Sequence, residues 1–167
     1  MSEVQAEVLN YHRLIGEVIT KNAALESWLE AVLWRSFEGR VSEPIPLATS
    51  LLGTQSWTSG KIKLCNAALI NLLDKDFRKR WDAIYAELRS LNTFRGDIAH
   101  SELIVIHDAD ENSLKTALRK GGSNLLQKNW EIKTDQLEAE LQRYHSVFRL
   151  LFQFCKDLGD ANAQRTA

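Results

Sequence analysis

The sequence contains few residues that break helices or cross-link a chain. Among 167 residues it has only two prolines, Pro44 and Pro46, and two cysteines, Cys65 and Cys155. Because proline removes a backbone donor and ends helices, the long stretches on both sides of this pair are free to be helical. The cysteines lie far apart within apolar patterns and form no CxxC pair. We therefore expect two buried free thiols rather than a disulfide.

The sequence also lacks an excess of one charge and long apolar runs. The formal net charge is −1, so no overall basic field would attract nucleic acid, and any such contact needs a local patch. No apolar run approaches the roughly 18 residues that could cross a membrane. The first ten residues, "MSEVQAEVLN", do not resemble a signal peptide. The sequence therefore predicts a cytoplasmic protein without a membrane segment.

Metal and cofactor sites are not expected either. The scattered histidines His12, His107 and His145 have no second histidine or cysteine three or four residues away and no HExxH pattern. Since a bound metal needs several ligands at such spacings or close together in the fold, we predict no metal. No phosphate-binding glycine loop is recognisable. The sequence thus predicts no cofactor.

Apolar residues recur every three or four positions along several segments, which is typical of amphipathic helices. One such helix is predicted over residues 4–37, with a bend at Gly16 left open. A linker with one short helical turn follows, and Thr58 or Ser59 is expected to cap the next helix. The motif helix is predicted over 76–100 and the final helix over 134–158, ended by Gly159.

Residues 102–133 have a different pattern. "ELIVIH" and "KNWEIKT" are rich in residues that favour strands, and a glycine pair lies between them. This pattern predicts a small, partly basic β-hairpin, although "LKTALRK" could also form a short helix. The predicted fold is all-α: one domain over 1–158, an antiparallel bundle of four to five helices with a β-hairpin insertion before the last helix. Residues 159–167 are predicted to be a flexible tail.

The helix over 76–100 carries an arginine on its apolar stripe. Leu88, Leu91 and Ile98 belong to this stripe, and the same spacing places Arg95 between the last two. An unpaired buried guanidinium is costly, so Arg95 should either have a specific partner or line a cleft. His100 follows five residues later, about 140° around and ~7.5 Å along an ideal helix. The two side chains can meet only where the helix ends or bends.

The segment that contains this pair, "LNTFRGDIAHSEL", resembles the R-x4-H signature of the HEPN superfamily, commonly written R-N-x-x-A-H. Arg95, Ala99 and His100 match that signature. The segments "LATSLLGTQSWTSGKIKLCNAALI" and "WEIKTDQLEAELQRYHSVFRLLF" are similar to the flanking parts of the mannitol-operon-repressor-like branch. The resemblance therefore covers about 45–158. It implies a homodimer with both motifs in one cleft and, in many members, a metal-independent endoribonuclease.

The chemistry of RNA cleavage suits these residue types. Attack by the 2′-hydroxyl needs a base, the 5′-oxygen needs an acid, and the phosphorane needs a cation. Histidine can be the base or the acid near neutral pH, and arginine can hold two phosphoryl oxygens. Each copy supplies one His100, so a two-fold dimer would supply the acid and the base together.

The sequence departs from the signature after Arg95, where a polar residue is usual and Gly96 stands instead. Asp97 is the third candidate catalytic residue, because it could take over this role by pairing with Arg95 or His100. A purely structural interpretation stays open as well. Arg95 could pair with a carboxylate such as Glu26 or Glu30, and a histidine at a helix end is favoured by the helix dipole.

Residues 114–130 contain four basic residues and no acidic one, which makes this segment the best candidate for tracking phosphates. The candidate RNA-binding residues are Lys115, Arg119, Lys120 and Lys128. A solvated basic hairpin is the alternative.

The sequence therefore leaves two candidate functions. The first is an endoribonuclease of toxin or defence type, with RNA as substrate and an antitoxin protein as partner. The second is a non-catalytic dimeric module that binds a nucleotide, nucleic acid or protein, as in repressor-like relatives.

Overall fold

The structure is a computed structural model and describes residues 3–108, 113–120 and 131–166. Over these residues the chain is an all-α helical bundle of five helices, with a small antiparallel sheet before the last helix, as predicted. The helices are α1 (Glu3–Phe37), α2 (Pro44–Gly53), α3 (Thr58–Leu69), α4 (Lys75–Ala99) and α5 (Thr134–Thr166). The strands are β1 (Glu102–Asp108), β2 (Ser113–Arg119) and β3 (Glu131–Ile132).

The sheet has the order β1-β2-β3, with both pairs antiparallel. The β-hairpin expected before the last helix is therefore confirmed. The helical alternative for "LKTALRK" is wrong, because this segment forms β2 and buries Thr116, Ala117 and Leu118. Pairing with β1 and burial override the local helical propensity. Only Glu131 and Ile132 of the second predicted strand are seen as strand, and 128–130 lie outside the described residues.

The chain forms two compact units, to which α1, α4 and α5 each contribute a part. The first unit comprises 1–21 and 93–143, and so contains the sheet, the end of α4 and the beginning of α5. Its buried apolar side chains are Tyr11, Leu14, Val18, Ile98, Ala117, Leu118, Ile132, Leu137 and Leu141. This unit contains all the described candidate site residues.

The second unit comprises 22–92 and 144–167, and it buries the apolar stripes of the remaining helical segments. Trp81 is fully buried, its ring lies 5.7 Å from that of Phe154, and its indole N–H donates to the Asn66 side-chain oxygen at 3.0 Å. Cys65 and Cys155 are buried free thiols, as expected. Burial raises the pKa of the Cys65 thiol and raises that of Cys155 to about 11. Both thiols are thus kept protonated and unreactive at neutral pH.

The final helix extends further than the sequence predicts. The prediction that Gly159 ends α5 is wrong, since the helix continues to Thr166. The continuation is held by packing: Leu158 is buried, and the Asn162 amide donates to the Arg35 carbonyl at 2.6 Å. These tertiary contacts outweigh the cost of about 1 kcal/mol for a glycine inside a helix.

The linker and the start of α3 also differ from the prediction. The linker contains the ten-residue helix α2 rather than a single turn, with a proline in its first turn. The residue before α3 is Trp57, whose side chain makes no capping hydrogen bond. Thr58 does not serve as the predicted cap because its hydroxyl donates to the Glu26 carboxylate at 2.7 Å.

Candidate functional site at the end of helix α4

Arg95 continues the buried stripe of α4. Leu88 and Leu91 precede it at full burial and Ile98 follows it at 4% exposure, while Arg95 itself is half-buried. Its Nε is buried and has no hydrogen-bond partner among the described residues. An unsatisfied buried donor costs about 1–3 kcal/mol, more when the group is charged. The fold therefore tolerates a guanidinium at a position where an apolar side chain would be more stable.

His100 directly follows the last residue of α4. Its backbone N–H donates to the Gly96 carbonyl at 3.3 Å, and the next residue, Ser101, donates to Ile98 at 3.0 Å. The chain then turns into β1, and the His100 side chain is exposed. The helix thus ends within one residue of the predicted boundary, and the imidazole is accessible to solvent or to a bound molecule.

The Asp97 carboxylate pairs with a different residue than expected. Its carboxylate forms an ion pair with Lys120 at 2.7 Å, and its carbonyl accepts a hydrogen bond from the Ser101 hydroxyl. The expected pairing with Arg95 or His100 is therefore corrected to a pairing with the residue after β2. Two residues along a helix turn the side chain by about 200°, which separates Asp97 from Arg95, and His100 lies beyond the end of α4.

The carboxylates suggested as structural partners of Arg95 are engaged by other residues. Glu26 forms an ion pair with Lys61, and Glu30 accepts a hydrogen bond from Thr49. Within the described part of the chain, no ion pair involves Arg95. Arg95 therefore does not form the buried ion pair with Glu26 or Glu30 that the structural interpretation expects.

The candidate RNA-binding residues lie close to carboxylates. Arg119 forms an ion pair with Glu102 on the neighbouring strand, and Lys120 forms the pair with Asp97. Lys115 lines a groove together with three acidic side chains. Lys128 lies outside the described residues. The positive field of this segment is partly neutralised, and RNA contact by these residues stays a prediction.

Gly96 leaves open space beside Arg95. Apart from its chain neighbours and the backbone of its own helix, a Cβ built at this position meets no described atom within 4 Å. Because glycine inside a helix costs about 0.5–1 kcal/mol relative to alanine, Gly96→Ala is expected to raise the free energy of unfolding by that amount. Urea unfolding followed by circular dichroism measures the change.

Two further glycines are the controls for this substitution. Gly16→Ala should give a similar gain, because Gly16 lies in α1 with the same open surroundings. Gly39→Ala should destabilise the protein instead, because Gly39 has a φ of 72°. A loss of stability in Gly96→Ala would show that the backbone there is not regular helix.

A second feature of this unit was not predicted from the sequence. Glu7 and Tyr11 of α1 meet Glu131 and Asp135 around the groove that also contains Lys115. The two α1 residues lie more than a hundred positions before Glu131 and Asp135. The local pattern predicts only the element to which such a residue belongs, such as the apolar stripe of the first helix for Tyr11 and a helix cap for Asp135. No periodicity or motif could have joined them.

Comparisons of the chain with protein-family models, curated proteins and solved structures found no match. Across 3–108, 113–120 and 131–166, no helix is long and apolar enough to traverse a bilayer. The same ranges contain no group of three or more histidine, cysteine or acidic side chains placed to hold a metal ion.

Proposed function

We propose that this protein is a HEPN-like, metal-independent endoribonuclease of toxin or defence type, acting through Arg95 and His100 in a cleft shared by two copies. The observation that carries the proposal is the buried Arg95 Nε, which has no hydrogen-bond partner among the described residues, together with the exposed imidazole of His100 five residues later. Among the described residues the Arg95 guanidinium has no carboxylate partner, so it is suited to an anionic ligand, and a phosphodiester satisfies it with two oxygens.

The proposed reaction uses the RNA's own 2′-hydroxyl as nucleophile. His100 of one copy accepts the 2′-hydroxyl proton as the new bond to phosphorus forms. His100 of the other copy donates a proton to the departing 5′-oxygen. Arg95 stabilises the negative charge that develops on the phosphoryl oxygens. The products are a 2′,3′-cyclic phosphate and a free 5′-hydroxyl.

The two-copy arrangement follows from the number of imidazoles. One chain places a single histidine in the motif, whereas this reaction needs a base and an acid at the same phosphate. A homodimer is therefore part of the proposal, and an antitoxin protein would be the partner that restrains such an activity in a cell. Size-exclusion chromatography with light scattering should give about twice the chain mass at micromolar concentration.

A second function is favoured by Gly96 and Asp97. The position after Arg95 has no side chain, and Asp97 is held by Lys120. These two features remove the polar group that would orient the reacting residues. They favour a non-catalytic dimeric module that binds a nucleotide, nucleic acid or protein through the same Arg95 and His100.

An RNase assay with two matched substrates separates these functions. The purified full chain is incubated in EDTA with a mixed-sequence RNA and with the same RNA fully 2′-O-methylated. We expect cleavage of the unmodified RNA alone, with 2′,3′-cyclic ends detected by mass spectrometry. Cleavage of both substrates would contradict the use of the 2′-hydroxyl, and binding of both without cleavage would favour the second function.

A further inference from the structure

An open groove of about 500 Å³ lies in the unit formed by 1–21 and 93–143. It runs between the edge of β2 and the N-terminus of α5, and neither Arg95 nor His100 lines it. This volume is within the range of about 300–1,000 Å³ that is usual for ligand pockets. The side chains that line it include Glu7, Tyr11, Lys115, Thr116, Glu131 and Asp135.

The edge of β2 is incompletely paired at this groove. β3 pairs with β2 only at Leu118 and Arg119, in the described residues. Two residues before Leu118, the Thr116 N–H donates to the Glu7 carboxylate at 3.0 Å and not to a neighbouring strand. An uncovered strand edge is a template for another extended chain, and a charged side chain across it prevents unwanted pairing.

Thr116 also has an unsatisfied side chain at this edge. The residue is only 6% exposed, and its hydroxyl oxygen has no hydrogen-bond partner in the described part of the chain. Buried hydroxyls nearly always find a partner within the protein or in a bound molecule. The same residue thus has a hydroxyl without a described partner and a backbone N–H that only a side chain covers, which makes Thr116 the least satisfied position along this edge in the described residues.

The groove carries more negative than positive side chains. The carboxylates of Glu7, Glu131 and Asp135 outnumber the amines of Lys115 and Lys133. Burial, followed by the charges of Glu131, Glu7 and Asp135, raises the pKa of Tyr11 to about 12. A lysine or arginine side chain of a bound segment has the charge that suits this acidic lining.

We propose that this groove binds an extended, basic segment of a partner protein, which adds as a strand to β2 at Thr116. A carbonyl of the segment replaces the Glu7 carboxylate on the Thr116 N–H, and a lysine or arginine side chain of the segment contacts Glu131 and Asp135. Backbone pairing provides affinity in this mode of recognition, and the alternate side chains provide specificity. This binding is independent of RNA cleavage.

Nuclear magnetic resonance titration of the ¹⁵N-labelled full chain tests the proposal. The probe is an acetylated octapeptide in which lysine alternates with valine or threonine. We expect it to move the amide resonances of Leu114 and Thr116, and to bind about tenfold more tightly than the same peptide with glutamate for lysine. A lysine peptide with N-methylated backbone amides should lose binding, because it cannot pair with a strand.

A double substitution tests the acidic side chains. Glu131→Gln with Asp135→Asn should weaken the lysine peptide about fivefold, whereas Glu43→Gln with Asp160→Asn, which changes two exposed carboxyls outside the groove, should not. Absence of shifts at millimolar lysine peptide, equal affinity for the glutamate peptide, or shifts that map away from β2 would overturn the proposal. The peptide experiments use the unmodified protein and are decisive even if a variant fails to fold.

Discussion

Replacing His100 by alanine is expected to lower the rate of RNA cleavage about 10²- to 10⁴-fold, which is the usual contribution of a general acid or base. In the proposed dimer both imidazoles are lost at once, so the upper part of this range is expected. His100 is exposed and lies just beyond α4, so its removal leaves no cavity in the core. The urea midpoint of unfolding should therefore stay within experimental error of the parent protein.

His12 is the matched control for this substitution. It is an exposed histidine on α1 in the same unit, and nothing in the proposal uses it. His12→Ala should keep the parent rate, measured in EDTA on the same RNA. Equal cleavage by the parent protein and His100→Ala would identify the activity as a contaminating nuclease and would contradict the proposed role.

The local part of the candidate site could be predicted from the sequence. The spacing of Leu88, Leu91 and Ile98 determines which face of α4 is buried, and this spacing is sufficient to place Arg95 on that face. The end of α4 near His100 could be predicted for the same reason, since the strand-forming residues of β1 follow at once. Periodicity is a property of neighbours along the chain, so it is readable without coordinates.

The predictions that were wrong, and the contacts that were not foreseen, involve residues far apart in the sequence. Gly159 has the local features of a helix stop, but Asn162 and Arg35 hold the helix beyond it. Asp97 was assigned to its sequence neighbours, but Lys120 reaches it from the end of β2. The acceptor of the Thr116 N–H is Glu7, more than a hundred residues earlier. No local pattern specifies which charged groups the fold brings together.

Replacing Arg95 by methionine is expected to stabilise the protein while removing its activity. Methionine is unbranched and apolar, so it can fill the space of the arginine stem on the buried stripe without an unsatisfied Nε. Removing that cost should raise the free energy of unfolding by about 1–3 kcal/mol, measured by urea unfolding. The loss of the cation should lower RNA cleavage about 10²- to 10³-fold.

Arg80→Met is the control that distinguishes a functional arginine from a structural one. The Arg80 guanidinium pairs with Asp157 at 2.7 Å and lies over the rings of Phe77 and Phe154, so its replacement should give no gain in stability. If Arg95→Met instead lost stability, the guanidinium would be part of what holds the fold, and its burial would no longer indicate a phosphate site. A purely structural arginine stabilises the fold, so its removal should lower stability. A gain in stability together with a loss of cleavage would therefore identify Arg95 as a functional residue that costs the fold stability.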